Sequence, residues 1–441
     1  MFRFDLFEKL LKLPVGVTQP ANADAFQLLS SIHPMELKAY ESGREHNGWV
    51  IPHEWHVHKA LIRRNEQIVF DGTVHPMAVA GYSTSFQGTL NKKQLDEHIF
   101  FNKDFPDAFV FHCMYNYRPW EQHWGFCVPL SEYQKWDDGP FEVELVTEFK
   151  QGDMLVGECN VSGQSSDTIV FNAHTCHPCQ ANDDMAGVLA ILELFRWLAT
   201  EQRRYSYRAV LAPEHIGTVF YIADLNDEEL QKLKLGCFVE MVGTDTPLAL
   251  QKSFHGNSAI DAAAEQALKE VEPDLTVGDF RTIVGNDETV WEAPGIEIPM
   301  ISISRWPYPQ YHTSHDNLDI MVETRLDETV SALKNMVLAL ENDATMQRRF
   351  KGLIALSNPK YNLYWERPDP VVNKALSEAD LRFGRMQDYL PRYFDGQHRI
   401  LDVARQFGVP FTALHKYLKA FEEKRLIDLH PVQSLDSYNN Q

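Results

Sequence analysis

The chain has 441 residues, of which 44% are hydrophobic and 23% charged, and its net charge is −21. That composition is globular and excludes collagen-like, low-complexity and disordered classes. At roughly 150 residues per domain the length suggests about three domains. The negative surface repels nucleic acid and acidic membranes unless a local patch reverses it, and it suits cationic partners, divalent metals included. No apolar run approaches the ~18 residues a membrane helix needs. The longest candidate, Ala186 to Ala199, is interrupted by Glu193 and Arg196. The N-terminus, Met1-Phe2-Arg3-Phe4-Asp5, lacks a basic region followed by an apolar core, so the expectation is no signal peptide, a cytoplasmic location and no membrane partner. Six cysteines form no disulfide framework, and in a reducing compartment thiols stay free. Cys176-His177-Pro178-Cys179 is a C-x-x-C, but no second one exists to complete a zinc ribbon. It runs into Gln180-Ala181-Asn182-Asp183, a loop rather than the helix start of a thioredoxin-like pair.

In chain order, the first ~33 residues read as helical, with Leu6, Leu10, Phe26 and Leu29 at helical spacing. From Glu36 to about Lys150, short alternating runs are punctuated by Asn, Asp, Gly and Pro, which predicts a β-rich module with hairpins. From Asp167 the rhythm becomes strand, loop, helix. Strands are expected at Thr168–Phe171, Tyr207–Leu211, Gly236–Val242 and Ile298–Ile303, and helices at Met185–Leu198, after Gly217, at Ala259–Val271 and at Arg325–Glu341. Such alternation predicts a mostly parallel sheet covered on both faces, with ligands beyond the carboxyl ends of its strands. Residues 345–379 read as a connector or docking arm. The last module reads as a helix-turn-helix over Ile400–Phe407, Gly408-Val409 and Phe411–Lys424, with Leu414, Tyr417, Leu418 and Phe421 forming one buried stripe.

Chemistry concentrates at the predicted strand ends. The first strand runs into His174, and nine residues later Asp183-Asp184 opens a helix. The second ends in Glu214-His215, the third in Glu240, and His312 lies just beyond the last. Singly, each has a bland reading: a hydrogen-bonded strand-end histidine, a helix cap, a surface turn. Imidazoles and carboxylates gathered at one edge of one sheet are what Zn²⁺ takes as ligands.

This set resembles the co-catalytic zinc aminopeptidases, which share an α/β fold with glutaminyl cyclases. Their pattern is His-x-Asp, Asn-Asp-x-x-x-Gly, Glu-Glu-x-Gly, a strand Asp before Gly and a distal His near Asp-x-Leu-Asp. The match here is Asn172-Ala173-His174-Thr175-Cys176, Asn182-Asp183-Asp184-Met185-Ala186-Gly187, Glu214-His215-Ile216-Gly217, Glu240 and His312. The chain looks closer still to a bacterial aminopeptidase-like subgroup with an inserted β-domain and a C-terminal winged helix, described alongside polysaccharide biosynthesis. Gly48-Trp49-Val50-Ile51-Pro52-His53-Glu54-Trp55, Trp124-Gly125-Phe126-Cys127 and Gly285-Asn286-Asp287-Glu288 carry that likeness. It implies a mostly parallel mixed sheet flanked by helices, with a small inserted β-rich domain and a winged helix-turn-helix. Its parts would be a catalytic domain over 1–48 and 127–345, an insertion over 49–126, a connector over 346–379 and the winged helix over 380–441. The resemblance further implies one zinc on His174, Asp183 and Glu240, and a second bridged by Asp183 to His312 and His215. Glu214 would be the general base. Asp287 and Glu288 would hold a substrate ammonium, Arg305 a substrate carboxylate, and Tyr311 would line the substrate pocket. Three departures stand out: Cys176 replaces the Asp that orients the ligand histidine, His215 replaces a Glu and Glu240 replaces an Asp. His177 is available as an orienting or coordinating group.

The expected activity is zinc-dependent hydrolysis of an amide next to a free amine, on a small peptide or amide substrate. Alternatives are an amidase or deacylase acting on a sugar-linked amide, with Trp306, Tyr308 and Tyr311 as stacking surfaces, and a degenerate enzyme serving a DNA-binding regulator. Residues 380–430 carry nine Lys/Arg against seven Asp/Glu, which is not the basic footprint of a DNA reader. Dimerisation fits that module equally well, and a homo-oligomer is a further expected partner. The histidines of the β-module (His53, His56, His58, His75, His112 and His123) read as structural or solvated.

Overall fold

The computed structural model describes residues 4–366 and 377–435. Two short helices open it, α1 (Phe4–Leu10) and α2 (Ala21–Leu29). Strand β1 (Glu36–Glu41) follows, and then β2 (Glu54–Arg64), β3 (Gln67–Asp71), β4 (Phe86–Leu90) and β5 (Phe141–Lys150). Strands β2 to β5 make a separate four-stranded antiparallel sheet in the order β3-β2-β5-β4. Its own core holds Ala60, Ile62, Val79, Phe126, Val143 and Leu145.

The rest of the large-sheet part alternates: β6 (Asp153–Val161), β7 (Thr168–His174), α3 (Gly187–Leu198), β8 (Ser206–Ala212), α4 (Ile216–Ala223), β9 (Leu233–Val239), β10 (Ala249–Gln251), α5 (Ala259–Val271), β11 (Thr276–Gly278), α6 (Glu288–Trp291), β12 (Met300–Ser304) and α7 (Glu323–Asn342). Eight strands form one mixed sheet in the order β1-β6-β8-β7-β9-β12-β10-β11. The centre is parallel: β7 pairs with β8 and β9, and β9 with β12. Antiparallel β6 and β1 close one edge, and antiparallel β10 with β11 closes the other. This is the α/β class the sequence predicts.

Burial explains the arrangement. All seven residues of β7 are buried, as expected of a strand covered on both faces. One face packs Phe171, Leu189, Phe195, Leu333 and Met336 under α3, α5 and α7. The opposite face packs Val170, Val210, Phe220, Phe238 and Trp291 under α4 and α6. The Ser258–Asp261 capping box fixes the start of α5.

After α7 the chain forms β13 (Ala344–Arg348), α8 (Glu378–Tyr389), β14 (Asp395–Arg399), α9 (Ile400–Phe407), α10 (Phe411–Glu423) and β15 (Ile427–Pro431). The predicted helix pair is present, with Gly408 left-handed between the helices as a helix C-cap demands. The predicted stripe, Leu414, Tyr417, Leu418 and Phe421, is buried. A purely helical reading of this end is incomplete, because β13 lies between β14 and β15 in an antiparallel sheet. Part of the connector predicted at 346–379 (residues 367–376) falls outside the described residues; of the rest, 346–348 belong to β13 and 378–379 open α8. On α10, Lys416 is exposed, Lys419 pairs with Glu422 and Thr412 is half-buried. Among the described residues no helix is long and apolar enough to cross a membrane.

Candidate metal centre

The site lies at the carboxyl edge of the parallel strands. Strand β7 ends at His174, a loop carries Cys176 and His177, and an irregular turn over 181–186 delivers Asp183 before α3 begins. Gly187 is required at that start, because a Cβ there would lie 2.1 Å from the Val239 carbonyl oxygen. Asp184 ties three elements together: it accepts backbone N–H bonds from Gly187 (3.0 Å), Met241 (3.0 Å) and His174 (3.3 Å). Asp316 clamps the turn from the other side. Its carboxylate accepts from the amides of Asn182 (2.6 Å) and Asp183 (3.1 Å) and from the Tyr308 hydroxyl (2.6 Å).

Asp183, 2% exposed, is the hub. One oxygen lies 2.8 Å from His174 Nε2. The other lies 3.2 Å from His312 Nε2 and 3.9 Å from His177 Nε2. The donor atoms of His177, Asp183 and His312 all fall within 4.8 Å of one another, as do those of His174, Cys176 and His177. Among the described residues, Asp183 Oδ2, His312 Nε2 and His174 Nδ1 are buried without a hydrogen-bond partner. Buried polar atoms are seldom left so. Convergent, unpartnered nitrogen and carboxylate donors are the set a zinc ion would satisfy.

Electrostatics point the same way. Asp183, Asp184, Glu240, Asp287, Glu288 and Asp316 are each at most 2% exposed. Burial opposes ionisation of Asp183, but His177 and His174 outweigh it and hold its carboxyl well below the usual range. Burial likewise opposes the charge on His174 and His312, but Asp183 prevails; His312 is pushed up to about 10, with the Cys113 thiol contributing. Burial, Glu288, Asp184 and Asp183 together push Glu240 well above its ordinary value. A divalent cation would favour ionisation of these buried carboxyls.

Glu214 follows β8, and its side chain is 18% exposed, with Oε2 3.6 Å from His177 Nε2. Burial raises its pKa. The Cys176 sulfur accepts the Glu214 backbone N–H at 3.2 Å and sits 3.2 Å from His177 Nδ1. Cys176 thereby orients His177, whose Nε2 is left facing Asp183 and Glu214. Tyr311 stacks on His312 with ring centroids 3.8 Å apart.

The remaining predicted residues are elsewhere. Glu240 joins neither donor cluster; it accepts from Asn286 Nδ2 (2.8 Å) and Ser302 Oγ (3.4 Å). His215 also stands outside, its Nδ1 3.7 Å from both Glu214 and Asp287. Asp287 accepts from the His215 amide and the Thr218 hydroxyl, and Glu288 from Gln251, Arg281 and the Asn286 amide. Both carboxylates are fully buried and serve as loop braces. Arg305 is fully buried and turned into the protein, onto Glu328, the Thr246 and Arg325 carbonyls, and Glu272 at 3.7 Å. Four residues went unassigned in the sequence: Asp184, Asp316, Phe111 and Tyr117. Phe111 packs its ring against His177 and His312 at 4.8 and 5.3 Å. Behind Phe111 and Cys176 lies a cavity of about 410 Å³ lined by Trp55, Val57, Met77 and Tyr82.

A family model described as "Domain of unknown function (DUF4910)" matches residues 4–343. The chain belongs to this family. It is 26% identical over 430 residues to a Clostridium acetobutylicum protein named "Putative polysaccharide biosynthesis protein with aminopeptidase-like domain", covering 97% of this chain and 96% of that one. A crystal structure of a putative peptidase from Clostridium acetobutylicum superposes with a TM-score of 0.80 at 23% identity, over 97% of this chain and 95% of that one. The zinc aminopeptidase BSAP from Bacillus subtilis superposes with a TM-score of 0.55 at 13% identity, over 76% of this chain and 93% of that one. A peptidase M28 precursor from Shewanella amazonensis gives 0.55 at 15% identity, over 76% and 92%. The fold is therefore that of the zinc aminopeptidases, as the motif resemblance implied.

Proposed function

We propose that this chain is a zinc-dependent hydrolase that cleaves an amide bond next to a free amine. His174, Asp183, His312 and His177 would hold the metal. The carrying observation is the convergence of buried Asp183 Oδ2 and His312 Nε2, 3.2 Å apart and without a hydrogen bond among the described residues, with Glu214 one residue away across His177. Bound zinc supplies Lewis acidity and lowers the pKa of water to about 7. Glu214, its carboxyl raised by burial, takes a proton from the attacking water and returns it to the leaving amine, a role worth ~10²–10⁴ in rate. Phe111 excludes bulk water from the His177–His312 side. Elemental analysis of protein purified without chelator, joined to an aminoacyl-amide panel, tests this reading. Wild type should carry stoichiometric zinc and turn over a member of the panel, and Glu214→Gln should lose at least a hundredfold in kcat. Equal turnover by the variant would remove Glu214 from the mechanism.

A second reading keeps the site and places the amide on a sugar. The half-buried aromatic pair Trp306 and Tyr311 beside His312 favours it, because sugar rings stack on such faces; Tyr308, the third predicted ring, is buried. An N-acyl amino-sugar included in the same panel separates the two readings.

A further inference from the structure

The β-module reaches the site through residues 109–117. This strip is laced to the His312 loop by three bonds: Phe109 N–H to Ser314 Oγ (3.0 Å), Phe111 N–H to the His312 carbonyl (2.8 Å) and Ser314 N–H to the Phe109 carbonyl (2.8 Å). Val110 bridges Thr313. The lacing sets Phe111 against two imidazoles and carries the chain on to Tyr117. The Tyr117 hydroxyl donates to Glu214 Oε2 at 3.4 Å and lies 3.9 Å from the Cys176 sulfur.

Glu214 is otherwise weakly held. Its Oε1 faces His215 Nδ1 at 3.7 Å and its Oε2 faces His177 Nε2 at 3.6 Å, both longer than the 3.4 Å Tyr117 contact, which is itself a long hydrogen bond. Tyr117 is the hydrogen-bond donor that its carboxylate has among the described residues. A catalytic carboxylate must keep one orientation toward the proton it abstracts, and a free χ rotation would sweep Glu214 away from the donor cluster. We infer that Tyr117 is a positioning residue: the inserted module supplies the hydroxyl that fixes the Glu214 carboxylate, so the site is incomplete without the insertion.

This inference rests on Glu214 being the base, and its test separates the two claims. Tyr117→Phe keeps the ring and deletes the hydroxyl. In the zinc-loaded full-length protein it should lower kcat by about 10- to 100-fold, the loss typical of removing an outer partner of a site group. KM should stay within about twofold of wild type, and zinc content should not change. In a Glu214→Gln background the same substitution should cause no further loss, because there is no base left to position. Tyr115→Phe, whose ring stacks on His123, is the control and should leave kcat unchanged. An equal loss from Tyr117→Phe in both backgrounds would mean a structural role and overturn the inference. Melting temperatures of Tyr117→Phe, Glu214→Ala and the double variant give an arm free of activity. Non-additive shifts are expected, and additive ones would break the proposed link. Absence of turnover by wild type would refute the function proposed above, and the melting cycle would still decide whether Tyr117 holds Glu214.

Discussion

The metal centre makes a quantitative prediction about stability. Without metal, the charge of Asp183 is balanced by imidazoles 2.8 and 3.2 Å away. Zinc must displace protons from those rings, so its affinity should rise with pH, the more so because His312 is held up to about 10. Ligand that binds only the folded state stabilises it by RT ln(1 + [L]/Kd), which is about 2.7 kcal/mol at free zinc 100-fold above Kd. One kcal/mol moves Tm by roughly 2–4 °C in units of 150–250 residues and by less in larger ones. At about 2.1 cal/mol/K of unfolding entropy per residue over 441 residues, the shift between chelated and zinc-loaded protein should therefore be about 3 °C. Asp183→Asn replaces the carboxylate whose two oxygens face His174 on one side and His312 and His177 on the other with a neutral amide. It should abolish most of this shift. Differential scanning fluorimetry with EDTA and then a zinc titration, alongside elemental analysis, is the assay. Two results refute the reasoning: a wild-type Tm indifferent to both chelator and zinc, or an Asp183→Asn protein whose zinc-dependent shift equals that of wild type.

Two further predictions concern charges outside the donor cluster. Arg305→Leu should lower stability by about 3 kcal/mol, the low end for breaking a buried ion pair, since Glu328 is partly exposed. It should leave KM for any turned-over amide unchanged, and a raised KM with unaltered denaturant midpoint would restore Arg305 as a substrate ligand. Glu158, 6% exposed, takes hydrogen bonds from the Tyr221 hydroxyl and from Asn160 at 2.6 Å. Burial opposes its ionisation, but these donors with Arg208 and Lys38 lower its pKa below the ordinary carboxyl value. A lowered folded pKa contributes stability above the unfolded pKa, and that stability is lost as pH falls through the folded one. Urea midpoints measured from pH 7 downward should fall less steeply below about pH 5 in Glu158→Gln than in wild type; parallel curves would count against it.

What the sequence disclosed follows from how locally each feature is encoded. Helix α5 spans the predicted Ala259–Val271, because a capping box and a continuous apolar stripe define it within its own residues. Helix α3 begins at Gly187 rather than Met185. There the backbone of Asp183 and Asp184 is pulled out of helical geometry, while the Asp184 side chain answers amides from Met241 and His174. Nothing in the local sequence signals that pull. That His174, Asp183 and His312 lie near one another was expected because strand ends of one sheet converge by rule. Asp316 was not: in His315-Asp316-Asn317 it looks like surface polarity, and only the turn from 181 to 186 closing over it makes it fully buried. Arg305 misled for the converse reason. A cation at a strand end suggests a substrate anion, but its partner Glu328 lies on α7, 23 residues on. The strands around β13 escaped because each is short and gains its identity by pairing across 48 to 87 residues.

Cys176 shows how a departure from the resembled motif is absorbed. An aspartate at that position would add a seventh carboxylate to six that are already almost fully buried, and uncompensated buried charge is costly. Burial keeps the Cys176 thiol pKa above its ordinary value, so the group stays neutral. Its sulfur still meets His177 Nδ1 and the Glu214 amide, both at 3.2 Å. The orienting work of the missing carboxylate is redistributed. Cys176 aligns His177, Asp184 holds the backbone of His174, and Asp316 with Tyr308 holds the turn that carries Asp183. The exchange therefore lowers the anionic charge around the donor cluster while recruiting an extra imidazole, His177, into it. A site so altered is expected to favour a metal that accepts several imidazoles, as zinc does. It places the burden of aligning Glu214 on groups beyond the motif, the Cys176 sulfur at its backbone and the Tyr117 hydroxyl at its carboxylate.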